Sequence, residues 1–289
     1  MRFFIIEDNQ GALLGGFYLD LYARENKHSG AWIAECRVRR RRINGSIQYP
    51  VAFLNCNLGR PVGGKPALFT HQEIVSLFHE VGHGLHHLLT KTEILAVSGI
   101  NGVPWDAIEF PSQFLENWCW QKEGMALFSA HYQTQEPLPD ELLSKLIEAR
   151  NFNSVMRMIN QLEFSLFDFR LHEHYQSTPP TNVQQVLDRV RSELDVDIPP
   201  EANRFQNSFE HIFGGGYAAG YYSYKWAGVM SSDAFSLFEE KGILNSEVGA
   251  QFLHHILEPG GSQEPMALFT MLRSRKPKID AFLRHNGIL

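Results

Sequence analysis

A mainly α-helical fold with a small antiparallel β-sheet near the amino terminus is what this sequence predicts, on three observations. Apolar and polar residues alternate, between glycine-marked turns, over about the first 60 positions. At Thr70 the apolar period changes from two residues to that of a helix. From Lys122 onward one helical segment follows another, with prolines as stops.

Taking the elements in order, residues 2–57 are rich in β-branched and aromatic side chains and are punctuated by Gly11, Gly15-Gly16, Gly30 and Asn44-Gly45. Strands are therefore expected near 2–7, 14–22, 32–39 and 47–56, with alternation clearest in Phe17–Tyr22 and Val51–Cys56. Gly59 to Pro66 breaks that pattern. Thr70 then caps a helix, Glu73 completes a capping box, and Ile74, Leu77, Phe78, Val81, Leu85 and Leu88 form its apolar stripe to about Leu89. Gly82 and Gly84 inside this helix each cost about 1 kcal/mol relative to alanine, so something, in the simplest case another helix, packs closely there.

A flexible stretch, Ser98–Pro104, leads into Trp105–Trp118, where Asp106 and Glu109 share a helical face and Pro111 starts or kinks a helix. Helices are expected near 122–133, 139–150, 151–175 and 182–194, bounded by Pro137, Pro139 and Pro179-Pro180. Residues 195–210 read as irregular, and His211–Tyr224 as a glycine-hinged stretch crowded with phenols. Three more helices follow near 225–240, 246–257 and 263–272, then a short one near 278–285.

At 289 residues, 44% hydrophobic and 20% charged, with a net charge of −6, the composition is globular and long enough for a large core. No apolar run approaches the ~20 residues of a membrane span, and the first residues turn acidic too soon for a signal peptide. A cytoplasmic location without membrane attachment is expected. Cys36, Cys56 and Cys119 are odd in number and scattered, without a C-x-x-C pair, which argues for buried free thiols over disulfides or thiolate zinc. The acidic balance disfavours nucleic acid, and the dense run Arg37–Arg42 reads as a strand end entering the turn at Asn44-Gly45. With no repeat and no long linker, residues 1–289 are expected to form one catalytic domain: a sheet region over 1–60 and a helical region over 70–289.

The chemistry is concentrated in His79-Glu80-Val81-Gly82-His83. Two histidines four apart leave one face of a helix and can grip one ion, with Glu80 displaced to the side. A catalytic zinc site needs a third ligand and an open position. The position ten after His79 is Leu89, which excludes a third histidine there; His86 and His87 stay as less favoured candidates, since they follow on the same helix and His86 lies more than about 10 Å along the axis. A carboxylate from a second helix remains, with Asp106, Glu109 and Glu116 as candidates; Glu109 leads because Asp106 can serve as its supporting partner.

His79–His83, Glu109-Phe110-Pro111-Ser112-Gln113 and Glu116-Asn117-Trp118 resemble the thimet-oligopeptidase family of zinc peptidases, as do Val97–Ile100, Gly102–Asp106 and Leu162–Arg170. The resemblance runs from about Phe3 to Gly287. It implies a zincin-like catalytic domain with one zinc ion held by His79, His83 and Glu109, Glu80 as base and Asp106 fixing a histidine ring. It also implies that His211 and Tyr224 stabilise the oxyanion while Tyr217 and Tyr221 bind substrate. The activity implied is zinc-dependent endoproteolysis of short peptides, with dipeptidyl carboxypeptidase activity as the alternative within the family.

The family's long amino-terminal helical half is not present in this sequence. Without that wall, exposed apolar surface is expected to favour self-association or a partner chain. A catalytically incompetent fragment, or a binding or structural remnant, is the competing expectation.

Overall fold

The alternating amino-terminal residues form strands β1 (Arg2–Glu7), β2 (Leu13–Tyr22), β3 (Trp32–Arg37), β4 (Arg40–Arg41), β5 (Ile47–Gln48) and β6 (Val51–Leu58). The computed structural model describes residues 1–176, 178–196, 199–200 and 202–289. Four strands make one sheet in the order β1-β2-β6-β3, and β4 and β5 form a separate hairpin. The outer pairings are antiparallel, as expected, but β2 and β6 run parallel. The physical reason is the intervening chain: β3 returns along the far edge and the β4–β5 hairpin reverses direction again, supplying the long crossover a parallel pair needs. The basic run behaves as expected, leaving β3 and entering the hairpin, and Arg39 and Arg41 both pair with Glu93.

One face of β6 packs Ala52 and Leu54 against Leu88, together with Ile6, Phe17, Leu19, Ile33 and Val81. This seats helix α1 (His71–Leu88) on the sheet. Its capping box is complete, the Thr70 side chain accepting from the Glu73 N–H and Glu73 accepting from the Thr70 N–H at 2.7 Å.

Next come α2 (Trp105–Ile108), α3 (Phe110–Glu116) and α4 (Lys122–Phe128), then α5 (Asp140–Asn151), α6 (Ser154–His174) and α7 (Val183–Leu194). The chain ends with α8 (Phe205–Ser208), α9 (Ser223–Lys241), α10 (Ser246–Phe252), α11 (Pro265–Arg273) and α12 (Asp280–His285). Segment 122–133 is shorter than expected, and a π-helical turn, Leu253–Leu257, extends α10. Of the stretch read as irregular, residues 197, 198 and 201 lie outside the described residues.

The largest apolar cluster is aromatic: Phe110 and Phe114 of α3 pack on Phe235 and Phe238 of α9, Phe252 of α10 and Phe269 of α11. A second joins Phe167 and Leu171 of α6 to Leu187 of α7, Phe209, Ile212 and Tyr221. Cys56 and Cys119 are buried free thiols, pushed up to about 11 and about 12 by burial, whereas Cys36 is exposed, against expectation, because it lies on edge strand β3. Among the described residues no helix is long and apolar enough to cross a membrane.

Candidate metal centre

Helix α1 presents His79 and His83 one turn apart, and α3 crosses it so closely that no side chain fits between them. A Cβ on Gly82 would stand 2.6 Å from the Pro111 carbonyl oxygen and the Ser112 Cα; one on Gly84 would meet the Leu54 side chain at 3.3 Å. The first glycine therefore admits a helix, as expected, and the second admits the sheet.

That approach carries Glu109, 1% exposed, to both imidazoles. Its Oε2 lies 3.1 Å from His79 Nε2 and 3.1 Å from His83 Nε2. One ligand atom from each of the three residues falls within 4.8 Å of the others. Burial alone would push the Glu109 carboxyl up, but the two histidines outweigh it and hold it well below the usual range. For His79, burial works against the charged ring, yet Glu109 and Glu116 raise it well above the ordinary value.

The chain between α2 and α3 breaks at Glu109, with Pro111 in the first turn of α3. Ser112 Oγ donates to Glu109 Oε2 at 3.0 Å, and the Tyr217 hydroxyl donates to Oε1. Behind the other imidazole, His79 Nδ1 donates to Glu116 Oε1 at 2.6 Å. Asp106, expected to fix a histidine ring, is half-buried and makes no hydrogen bond or ion pair among the described residues. Glu116 occupies that position instead: it lies at the end of α3, the helix that crosses α1, whereas Asp106 lies on α2, beyond the break at Glu109.

Glu80 is 6% exposed, and its Oε2 has no hydrogen-bond partner among the described residues. Its pKa is raised, chiefly by burial, against the charges of His79 and His83. His86 and His87 turn elsewhere: burial pulls His86 down to about 3, and His87 Nε2 donates to the Arg37 carbonyl at 2.9 Å.

The phenol-rich stretch closes over the trio. The His211 ring contacts those of Tyr217, Tyr221 and Tyr224, and Tyr217 and Tyr224 stack with centroids 5.0 Å apart. Burial raises both of these phenols, and the charge of Glu109 adds to it. The stretch is anchored by two residues that lie in the family-like motifs but whose anchoring role was not read from the sequence. Asp168 of α6, 0% exposed, accepts from the N–H groups of Ala219 and Tyr221, each at 2.9 Å. Gln113 of α3 donates from Nε2 to the Tyr224 carbonyl at 3.0 Å. An aspartate among the phenylalanines of α6 was the signal available for the first; for Gln113 it was the motif Glu109–Gln113.

Known proteins resemble the chain along its whole length. Oligopeptidase A of Escherichia coli K12 is 55% identical over 288 residues, covering 100% of this chain and 42% of that protein. Dipeptidyl carboxypeptidase of the same organism is 36% identical, with 100% and 42% covered. The chain thus spans about two fifths of the length of these relatives. Among solved structures, Pz peptidase A with an inhibitor superposes with a TM-score of 0.61 at 18% identity, over 93% of this chain and 42% of that one; this likeness concerns the fold. The profile of peptidase family M3 matches residues 1–288, and the chain belongs to that family.

Proposed function

We propose that residues 1–289 form one catalytic unit of a zinc-dependent endopeptidase acting on short peptides. The observation that carries the reading is the position of Glu109 Oε2 3.1 Å from both imidazole Nε2 atoms, beside Glu80, whose Oε2 has no hydrogen-bond partner among the described residues. Two imidazoles and one carboxylate suit zinc and leave a position open for water. His79, His83 and Glu109 would hold the ion; bound there, zinc supplies Lewis acidity.

The rest belongs to the chain's own side chains. Glu80, its carboxylate free of other hydrogen bonds, takes the proton from the attacking water and delivers it to the leaving amine. Tyr224 and His211 donate to the oxyanion of the tetrahedral centre, and donors of this kind are worth about 3 kcal/mol each in a dry site. Tyr217 holds the peptide, whereas Tyr221, expected to do so as well, packs in the apolar cluster of α6 and α7 and supports the stretch from behind. Exposed apolar side chains are covered in the working protein by further chain or by a partner.

The test is metal analysis with a quenched short peptide. One zinc per chain and cleavage abolished by a chelator are expected. Glu80→Gln should retain the zinc and lower turnover by about a hundredfold or more. Strong turnover in that variant rules out Glu80 as base, and a metal-free, inactive parent rules out the hydrolase.

A further inference from the structure

A cleft of about 760 Å³ opens beside the metal centre, between α1, the end of α3, α5 and α6. It adjoins the centre on two sides. Glu116, which receives the His79 Nδ1 hydrogen, lines it, and so does Gln161, whose Oε1 faces the Tyr221 hydroxyl at 3.5 Å. A peptide held across the metal has room to continue into it.

The charge of the lining is unusual for a chain with a net charge of −6. Arg150, Arg157 and Lys225 line the cleft against the single carboxylate of Glu116. Arg157 is exposed, and its guanidinium donates to the Phe152 and Arg150 carbonyls. Arg150 and Lys225 are different. Both are half-buried, and neither forms an ion pair among the described residues. Arg150 lies over the Trp120 ring, 4.3 Å from its centroid, and Lys225 Nζ is 5.9 Å from that of Phe282. Aromatic faces orient these cations without neutralising them. Burial lowers the pKa of both, to about 10 for Arg150, with the charge of Glu116 acting the other way.

Half-buried cations without carboxylate partners are costly unless a ligand supplies the anion. We propose that this cleft is a carboxylate-recognition subsite, in which Arg150 and Lys225 bind a carboxylate of the peptide, either its carboxy terminus or an acidic side chain. The proposal rests on reading the metal centre as a peptide site. Arg150 supplies a planar fork suited to two carboxylate oxygens, and Lys225 a point charge on the side of the phenol stretch. Peptides ending in a neutral group would then lose binding, while the bond-breaking residues would be untouched.

Calorimetric titration of the zinc-loaded Glu80→Gln chain tests this without consuming the probe. Three acetylated pentapeptides of alanine and phenylalanine serve: one with a free carboxy terminus, one amidated, and one amidated with glutamate at its last position. The free acid is expected to bind at least tenfold more tightly than the plain amide, as a charge-assisted hydrogen bond warrants. Tight binding of the glutamate amide shows that a side-chain carboxylate also serves; weak binding restricts the subsite to the terminus. Arg150→Gln and Lys225→Met should each erase most of the difference and leave the affinity for the plain amide unchanged. Equal binding of acid and amide, a difference surviving both substitutions, or no binding of any peptide overturns the assignment. Acid-selective binding alongside a parent chain that cleaves nothing would sink the hydrolase and leave the subsite standing. Cleavage without acid preference would do the reverse.

Discussion

His79 meets a carboxylate at each nitrogen, Glu109 at Nε2 and Glu116 at Nδ1, so its ring orientation is set from both ends. Removing the charge behind a ligand histidine typically costs a factor of about 10–100 in metal affinity. Glu116→Gln should therefore weaken zinc binding by that much in a chelator competition, whereas Asp106→Asn should leave it unchanged. Equal losses in the two variants would return the orienting role to Asp106. The residue scale is also where the sequence was most legible and where it misled. His79, Glu80 and His83 need only the helical period, and Glu109 needs one carboxylate on a second helix. The support of His79 depended on the helix breaking at Glu109, which separates Asp106 from Glu116, and residue spacing does not carry that break.

The crossing of α1 and α3 depends on one missing methyl. Gly82→Ala would put a Cβ 2.6 Å from backbone atoms of Pro111 and Ser112, which cannot move aside as a side chain can. A loss of about 2 kcal/mol in urea denaturation is expected, with weaker zinc binding as Glu109 is pushed from His83. Gly84→Ala, which meets only the Leu54 side chain, should cost less.

A second joint lies at Asp233 of α9, 1% exposed, whose carboxylate takes Arg275 at 2.5 and 2.6 Å and the Lys278 N–H at 2.6 Å. Burial raises the Asp233 carboxyl, but these partners outweigh it and hold its pKa below the ordinary value. Because the folded pKa is depressed, this stabilisation is complete above the unfolded value near 3.9 and is lost as pH falls through the folded one. Asp233→Asn should cost about 3 kcal/mol at pH 7, and its gap from the parent in chemical denaturation should narrow below about pH 4. A gap independent of pH would sink this account. Caps, prolines and periods made the helices readable one at a time. The parallel β2–β6 pairing was not readable, since alternation says which face is buried and nothing about strand direction.

Over the whole molecule, apolar surface is left uncovered at the sheet edge. Strand β1 is an edge strand, with Phe3 49% and Ile5 60% exposed. Open edges with apolar faces pair with other chains. The isolated chain is expected to self-associate at micromolar concentration in light scattering, and Ile5→Lys to shift it toward monomer. A parent that stays monomeric would show that this edge is adequately protected. The expectation from the sequence concerned the wall of the cleft; that β1 exposes its apolar side chains required the order β1-β2-β6-β3.

Asp168 couples two things that would otherwise vary separately. It belongs to the α6 segment that packs on α7, yet its two oxygens hold the backbone of Ala219 and Tyr221, from which the phenols hang. Loosening Phe167 or Leu187 would thus be transmitted to the wall facing the metal as a change in aim. In this lobe, core packing and the alignment of the phenols amount to a single adjustable quantity.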